Sequence, residues 1–443
     1  MSAPTSDQLL QTIQRLQPVR VETLQEHFGV SQQTLSRWLK AAGDAVCRMG
    51  RTKGALYVRT RTVPQLGTRV PVHRVDEAGQ IHRLGTLHFL SDGGYWLESV
   101  TGPGQRFEGR PPFVEEMRPQ GYMGRRFRFH GPSTLGPPRR SSRPDDWGDD
   151  QVLDVLSQYG EDCAGDLILG EQSLNRYLSL RILAPEVERA NYPVHARGYR
   201  SEGASSSAGG EQPKFTAFTG ARHVLVKFAD ASMGRAGQRW RELLACEQLA
   251  LECVRAAGFE AADAEWFDLG DYRFLEVGRF DRIGRLGRRA LLSLRAIDNE
   301  YVGLGRGSWT QVALRLLVDR RLPKEDVRRI RWLDTFGQLI GNTDRHLGNV
   351  SCFVESPGRF RLAPIYDMLP MVFAPDGAHL VERTFTPEPP NAHNLDVWAD
   401  AARHALAYWD RLVACADLSE DFRQRCATSR EALATLASRL PAL

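Results

Sequence analysis

The segment from Gly341 to Asn349 constrains the fold of this 443-residue chain more than any other stretch. Upstream of it, apolar residues recur with helical spacing, which predicts one buried helix face: Ile330, Leu333, Phe336 and Ile340. Gly341-Asn342 then ends the predicted helix. Asp344 is therefore expected in a loop at a helix end, with Asn349 five positions later.

Asp344 and Asn349 have the Asp-x-x-x-x-Asn spacing of a kinase catalytic loop. In that chemistry the aspartate accepts the substrate hydroxyl proton and the asparagine holds magnesium. Asp367 follows the strand-like stretch 361–365 and can bridge a metal ion to nucleotide phosphates. Taken singly, Asp344 could cap a loop and Asn349 could be a turn residue. Their combination with Asp367 favours a magnesium–nucleotide site.

Lys227 lies in the predicted strand 223–228, on the face opposite its apolar neighbours. A lysine on a central strand needs a partner. In a kinase it pairs with nucleotide phosphates and with a helix glutamate. Glu242 and Glu247, on a predicted helix that ends near Gly258, are the candidates, and Glu242 is slightly preferred. The alternative is an edge-strand lysine that points to solvent.

A run of small residues, 205–214, directly precedes the predicted strand 215–218. Small residues let backbone N–H groups approach phosphates closely. A Ser/Gly-rich run by itself is usually a flexible loop, but its place just upstream of the lysine strand favours a phosphate loop. Lys214 could contact phosphates or only line this loop.

Residues 1–60 predict a winged helix-turn-helix. Two helices are expected before Gly29, and Ser31 is placed to cap a third. Residues 45–59 suggest a hairpin around Lys53-Gly54 that would serve as a wing. Five polar residues of the third helix are predicted to face DNA: Gln32, Gln33, Ser36, Arg37 and Lys40. The alternative is a three-helix packing module without DNA contacts.

Charge supports a polyanion partner for this N-terminal unit. Residues 1–60 contain eight Lys or Arg and four acidic residues, a balance that equals the net charge of +4. The seven cysteines are scattered, which fits reduced thiols in the cytoplasm better than disulfides or a zinc site. A signal peptide and membrane-spanning stretches are not expected, so the sequence predicts a cytoplasmic protein without a membrane partner.

The expected fold class is α+β, a two-lobed protein-kinase-like fold behind the winged helix-turn-helix. After the N-terminal unit (1–60), a β-rich subdomain (61–145) contains a hairpin with its turn at Ser91-Asp92-Gly93. The kinase N-lobe (146–282) is predicted to consist mainly of strands. The C-lobe (283–443) is predicted to be mostly helical from Gln311 onward.

Several of these stretches resemble the HipA family of bacterial serine/threonine kinases, which are toxins of toxin–antitoxin pairs. The matching pieces lie between residues 61 and 443: Pro111-Pro112-Phe113, Ser207 to Lys214, Val226-Lys227, Gly278 to Arg282, Gly341 to Asn349, and Pro364 to Asp367. The Asn-Thr-Asp-Arg-His string is highly characteristic of this family. The resemblance implies a HipA-like fold that uses ATP and Mg²⁺.

The resemblance also implies roles for individual residues. Asp344 would be the catalytic aspartate, Asn349 and Asp367 would hold magnesium, and Ser207 would be the autophosphorylated serine that locks the phosphate loop open and inactive. Further ATP-binding positions are implied: Lys227, Ser207, Ala208, Gly209, Gly210, Gln212, Lys214, Phe280, His346, Asn349 and Asp367. Family members phosphorylate aminoacyl-tRNA synthetases, which implies a similar protein substrate.

Two departures from the family pattern stand out. Gly278 replaces the glutamate that usually precedes Arg-Phe-Asp-Arg at the hinge. Typical members lack an N-terminal helix-turn-helix and obtain DNA binding from a separate antitoxin, whereas this chain follows the YjjJ-type branch with a fused one. Two other functions remain open, namely a DNA-binding regulator with a nucleotide-sensing, catalytically weak kinase-like domain, and a small-molecule kinase.

Overall fold

A computed structural model describes residues 6–52, 54–120, 124, 144–183, 186–201 and 212–440. These residues belong to two compact units. The first unit spans 1–76, 80–119 and 130–183, and the second spans 77–79, 120–129 and 184–443. Within the described ranges, no helix is long and apolar enough to cross a bilayer.

The first unit opens with three helices, α1 (Ser6–Leu16), α2 (Val21–Phe28) and α3 (Gln32–Ala41). Gly29 ends α2 with a φ of 62°, which glycine adopts without strain. Ser31 Oγ accepts from Thr34 N at 3.3 Å and caps α3, as predicted. A small apolar core joins the helices: Leu9, Ile13, Val19, Leu24 and Leu35.

A three-stranded sheet accompanies these helices. It comprises β1 (Val19–Arg20), β2 (Val46–Met49) and β3 (Leu56–Arg59) in the order β1-β3-β2. The pairing of β2 with β3 confirms the predicted hairpin, whose turn residue Lys53 lies outside the described residues. Cys47, Met49 and Val58 pack against Leu90. One face of the hairpin is therefore buried against the next part of the same unit.

A five-stranded antiparallel sheet forms the rest of the β-rich region. Its strands are β4 (Arg69–Val75), β5 (Ile81–Phe89), β6 (Tyr95–Ser99), β7 (Gln105–Phe107) and β8 (Leu167–Leu169), in the order β7-β6-β5-β4-β8. Phe89 pairs with Tyr95 across the predicted turn. The short helix α4 (Pro112–Met117) begins within the Pro-Pro-Phe motif.

The expectation that strands dominate residues 150–282 is wrong. Four helices occupy much of this stretch: α5 (Asp149–Tyr159) and α6 (Glu171–Leu183) in the first unit, and α7 (Tyr192–Ser201) and α8 (Gly234–Ala256) in the second. In α5 the buried residues Val152, Val155 and Leu156 recur at helical spacing. This spacing fits a helix and not the alternation of a strand, and the segment is accordingly helical.

The second unit begins with a four-stranded antiparallel sheet. Its strands are β9 (Lys214–Phe218), β10 (His223–Asp230), β11 (Ala264–Leu269) and β12 (Tyr272–Gly278), in the order β11-β12-β10-β9. One face packs aromatic residues with α7, including Tyr192, Phe228 and Phe274. The other face packs Leu275 against Leu244 of α8. The sheet is therefore covered on both sides by helices.

The remainder of the second unit is mainly helical, as predicted. A hairpin of β13 (Arg282–Ile283) and β14 (Gly287–Arg288) precedes a sheet of β15 (Leu291–Ser293), β16 (Ser351–Ser356) and β17 (Arg359–Leu362). The helices are α9 (Leu294–Ile297), α10 (Trp309–Val318), α11 (Lys324–Leu339), α12 (Leu395–Ala414) and α13 (Glu420–Arg439). Their aromatic core includes Trp309, Phe336 and Trp409.

Candidate active site

Lys227 occupies β10, a central strand between β9 and β12, and only 4% of it is exposed. The adjacent Val226 and Phe228 face the aromatic cluster on the opposite side of the sheet. Lys227 Nζ donates to both carboxylate oxygens of Glu247, at 2.7 and 2.6 Å. The predicted strand lysine is therefore buried and paired, and the alternative of an edge lysine pointing to solvent is wrong.

The partner of Lys227 is Glu247, so the slight preference for Glu242 is wrong. The two glutamates are five residues apart on α8 and point about 140° apart around the helix axis. Glu247 faces the sheet. Glu242 faces the start of α13, where it accepts from Arg239 Nε at 2.9 Å and from Ser419 N at 3.0 Å.

Asp367 is a second carboxylate on Lys227, with which it forms a close ion pair. It follows β17 after a short extended stretch. Its φ of 53° is one that residues other than glycine seldom adopt. Asn342 Nδ2 donates to Asp367 O at 3.2 Å, which ties this position to the loop that carries Asp344.

Lys227, Glu247 and Asp367 form a triad of one ammonium and two carboxylates. Burial lowers the pKa of Lys227, but Asp367 and Glu247 raise it by more, so the net shift is upward. Burial raises the pKa of Asp367, yet Lys227 and Lys214 lower it to about 2. Burial is the main reason why the pKa of Glu247 is raised. When all three groups of the triad are ionised, it carries one net negative charge, which favours binding of a cation.

The loop with Asp344 begins where α11 ends, and Gly341 there adopts a φ of 74°. Asp344 N donates to Asn342 Oδ1 at 3.0 Å, and Asn349 Nδ2 donates to Asp344 O at 2.8 Å. The side chain of Asp344 is itself 52% exposed. The loop thus holds the backbone of Asp344 from both sides and presents its carboxylate to solvent.

Asn349 and Asp367 offer the oxygens predicted to hold magnesium. Asn349 is 7% exposed, and its amide nitrogen already donates to Asp344 O, which leaves Oδ1 for a cation. Across the described part of the chain, no group of three or more His, Cys, Asp or Glu could hold a metal ion. Magnesium needs few protein oxygens when phosphate supplies the others, so this donor set fits a magnesium–nucleotide complex.

Asn342 and Arg345 support the site in a way that the sequence analysis missed. Asn342 is fully buried and bridges the two aspartate-bearing loops. Arg345 Nε lies 3.2 Å from Asp334 Oδ1, and Arg345 also donates to Asn342 O. Asp334 Oδ2 in turn accepts from Thr310 Oγ1 at 2.8 Å. Asp334 is one of three acidic residues of α11, with Glu325 and Asp326, so the sequence did not mark it as a partner of Arg345.

His346 lies in the same loop as Asp344 and Asn349. Its Nδ1 accepts from Gly348 N at 3.0 Å and lies 3.2 Å from Arg295 Nη2, while its Nε2 is 3.9 Å from Asp344 Oδ1. Burial is the main reason why the pKa of His346 is lowered. Trp309 Nε1 donates to His346 O at 2.9 Å and joins this loop to α10.

The predicted phosphate loop is described only at its end. Residues 205–211 lie outside the described residues, and among them are four predicted ATP-binding residues: Ser207, Ala208, Gly209 and Gly210. Gln212 Nε2 donates to Phe228 O, so the chain runs alongside β10 there. Lys214 begins β9 directly opposite Lys227. Its charge also helps to lower the pKa of Asp367, which places it near the same pocket.

Phe280 lies at the predicted hinge, with its ring centroid 5.7 Å from Tyr366 and 6.0 Å from Phe353. Gly278 N donates to Asp263 O at 2.7 Å. A Cβ atom at Gly278 would lie 3.6 Å from Asp263 O, which is an ordinary contact. Steric crowding therefore does not explain the glycine at this position.

The residues predicted to contact DNA share the solvent-facing side of α3. Leu35 of the same helix is fully buried, and Trp38 and Leu39 pack against the helical core. The five polar residues are all exposed: Gln32, Gln33, Ser36, Arg37 and Lys40.

Two family models and a relative match this chain. Residues 206–438 match the family described as the HipA-like C-terminal domain, and residues 66–178 match the middle domain of the YjjJ-like toxins. The chain is 32% identical to Toxin YjjJ of Escherichia coli (strain K12) over 423 residues, which cover 92% of this chain and 93% of that protein.

Among solved structures, the chain is similar to HipA of Shewanella oneidensis MR-1, determined in a complex with HipB and operator DNA. The TM-score is 0.53 at 17% identity, covering 84% of this chain and 97% of that one. The similarity to the Helicobacter pylori proinflammatory kinase CtkA has a TM-score of 0.35, which is too low to indicate a shared fold. Because the HipA-like match spans more than half of the chain and the YjjJ match nearly all of it, this chain belongs to the HipA-like toxins, in their YjjJ-like group.

Proposed function

We propose that this chain is a serine/threonine protein kinase that transfers the γ-phosphate of ATP to a hydroxyl group of a cellular protein. The observation that carries the proposal is the buried Lys227, held by Glu247 and Asp367 in the same unit as an exposed Asp344. Burying a lysine costs desolvation free energy. A buried, paired lysine on a central strand is typical of a site that binds nucleotide phosphates.

Each residue has a distinct task in this proposal. Lys227, oriented by Glu247, binds nucleotide phosphate oxygens, and Lys214 adds positive charge beside it. Asp344 orients the substrate hydroxyl and accepts its proton. Asn349 and Asp367 would hold Mg²⁺, which would screen the negative charge of the phosphates when bound. Two further ATP contacts, Phe280 at the adenine and His346 beside Asp344, complete the proposed site.

The proposed substrate is a serine or threonine on a protein of the translation apparatus, of the aminoacyl-tRNA synthetase class. Membership of the HipA-like toxins supports phosphorylation that arrests growth. The HipA of Shewanella was solved with HipB and operator DNA, which supports an antitoxin partner for this chain as well.

The proposal is tested by incubating the purified chain with magnesium and ATP, followed by phosphosite mapping by mass spectrometry. We expect phosphate on the chain itself, first at Ser207, and on serine or threonine residues of a bacterial lysate. Detection of a phosphorylated small molecule without any phosphoprotein would favour the small-molecule kinase instead. Absence of all phosphate transfer would contradict the proposal and favour the nucleotide-sensing regulator.

DNA binding is a second proposed function, and the exposed polar face of α3 favours it. Arg37 and Lys40 offer charge to the phosphate backbone, while Gln32, Gln33 and Ser36 are suited to hydrogen bonds with base edges. The unit carrying α3 and the kinase-like unit are joined in one chain, so a fused DNA-binding part would supply the DNA contacts that a separate antitoxin makes in typical family members. We propose that it represses its own promoter.

Replacing both Arg37 and Lys40 by alanine is expected to weaken binding to duplex DNA from its own promoter. Loss of two phosphate contacts should reduce the slope of log K against log salt concentration by about 2. The measurement is fluorescence anisotropy at several salt concentrations. The matched control is the Arg15→Ala/Arg20→Ala variant, which removes the same charge from exposed positions off α3. An equal loss in both variants would mean that charge alone, and not this face, binds DNA.

A further inference from the structure

The helix α8, which carries Glu247, is attached to α12 and α13 at three levels along its length. This matters because the Lys227–Glu247 pair forms only if α8 is correctly placed against β10. The three attachments come from the last two helices of the chain, which lie far from Glu247 in sequence. We call α12 and α13 the C-terminal helix pair.

The first attachment is a buried charge network near the start of α8. Arg239 and Glu242 are 6% and 1% exposed, and Arg239 Nε donates to Glu242 Oε2 at 2.9 Å. The other carboxylate oxygen of Glu242 accepts from Ser419 N, at the cap of α13, at 3.0 Å. Arg239 Nη2 also reaches Asp421 Oδ2 at 3.2 Å, and its guanidinium lies 4.2 Å from the ring centroid of Phe422.

The second and third attachments lie on either side of Glu247. Tyr408 of α12 is fully buried, and its hydroxyl donates to Cys246 O at 3.3 Å. At the end of α8, Arg411 pairs with Glu252 and lies 3.6 Å from Cys253 Sγ. Glu247 is thus bracketed by contacts to the same helix pair, on a helix whose own hydrogen bonds make it stiff.

We infer that the C-terminal helix pair holds α8 where Glu247 can meet Lys227, and that Glu242 is a positioning residue for phosphate transfer. This inference rests on the proposed kinase function. Glu242 acts through α8 and does not itself touch Lys227. Its two hydrogen-bond donors, Arg239 and Ser419, leave it no freedom to shift without exposing a buried charge.

The attachment of α8 to the C-terminal helix pair bears on how the Lys227–Glu247 pair could be regulated. In protein kinases whose lysine–glutamate pair is switched, the helix that carries the glutamate moves. Here that helix is attached to α13 by Glu242 and to α12 by Tyr408, so the pair is formed without any modification of the chain. A switch of activity must therefore act elsewhere than on the position of α8.

The inference is tested by chemical labelling of lysines, which needs no phosphate transfer. The chain has only five lysines: Lys40, Lys53, Lys214, Lys227 and Lys324. In a brief pulse with an amine-acylating reagent, Lys227 should be protected and the exposed Lys40 and Lys324 should react. In Glu242→Gln, which keeps the shape but places an amide against the donors, labelling of Lys227 should rise several-fold relative to Lys324.

Two further variants keep this test independent of folding. Asp421→Ala alters the exposed end of the network, together with the Asp421–Arg425 pair within α13, and it should raise Lys227 labelling by less than Glu242→Gln does. Asp410→Ala removes the Asp410–Arg430 pair between α12 and α13, which does not involve α8, and should leave the labelling unchanged. Unchanged Lys227 labelling in a folded Glu242→Gln protein overturns the inference.

A double-mutant cycle connects the labelling to catalysis. Glu242→Gln should lower kcat/KM for phosphate transfer roughly tenfold, a size common for residues coupled through a shared element. In a Glu247→Gln background, the same change should have little further effect, because the pair that Glu242 positions is already lost. Fully multiplicative effects would refute positioning through Glu247. An inactive parent chain with the expected labelling would refute the kinase proposal alone.

Discussion

Replacing Asp344 by asparagine is expected to lower the rate of phosphate transfer from ATP by about 10²–10⁴-fold, the usual contribution of a general base. Asparagine keeps the size and the backbone hydrogen bonds of the residue but cannot accept the substrate proton. Because the carboxylate is 52% exposed, its loss should change the free energy of unfolding by less than about 0.5 kcal/mol. The measurement is transfer of labelled phosphate at saturating magnesium–ATP, alongside thermal unfolding.

Asp319→Asn is the matched control for this prediction. Asp319 is an exposed aspartate just after α10, and its replacement should leave phosphate transfer unchanged. The same two variants can be compared in cells, where expression of the parent chain and of Asp319→Asn should arrest growth and expression of Asp344→Asn should not. If Asp344→Asn still transfers phosphate at the parent rate, another residue serves as the base.

The residues that meet at the site were largely recognisable in the sequence. Asp344 and Asn349 share one short loop, so their spacing alone predicts that they lie close together. Lys227 and Asp367 are distant in sequence, but each has a local signature. Lys227 is a charged residue within an apolar strand, and Asp367 is a carboxylate that follows a strand. Such local patterns can be recognised in the sequence without knowledge of the tertiary structure.

The choice between Glu242 and Glu247 could not be made in this way. Both are buried on α8, and which one faces the sheet depends on the rotation of that helix against β10 and α13. The helix that carries both glutamates was expected, whereas the three helices before it, α5, α6 and α7, were not.

The burial of Asn342 also depends on tertiary packing, which the sequence does not show. An asparagine at a helix end reads as a simple turn residue, whereas it hydrogen-bonds both Asp344 and the Asp367 carbonyl. Only a folded chain brings those two loops together. The site is therefore a local motif on each side, joined by one amide that tertiary packing places between them.

Replacing Lys227 by methionine is expected to lower the rate of phosphate transfer roughly 100-fold or more, because the variant loses a preorganised positive charge that would stabilise the transition state. It should also destabilise the chain by about 3–5 kcal/mol at pH 7, because the buried Glu247 and the partly buried Asp367 lose their cation. Methionine nearly matches the length of lysine, so packing is little changed. The exposed Lys324→Met variant is the control.

The pH dependence separates this explanation from a packing defect. In the parent chain the pKa of Asp367 is lowered from 3.8 to about 2, so its stabilising contribution is complete above pH 3.8 and is lost as the pH falls towards 2. Without Lys227, burial raises the pKa of Glu247 and Asp367 above their ordinary values. The folded variant then binds more protons than the unfolded chain, and its free energy of unfolding rises as the pH falls from 7 to 5.

Urea unfolding at pH 7, 6 and 5, followed by tryptophan fluorescence, measures this difference. The gap in free energy of unfolding between Lys227→Met and Lys324→Met should narrow as the pH is lowered, since protonation removes the uncompensated charge. A gap that stays constant over this range would show that the lysine contributes packing rather than charge. In that case the two carboxylates would not be ionised partners of Lys227, and Lys227 would not be a charge held in place to bind phosphate.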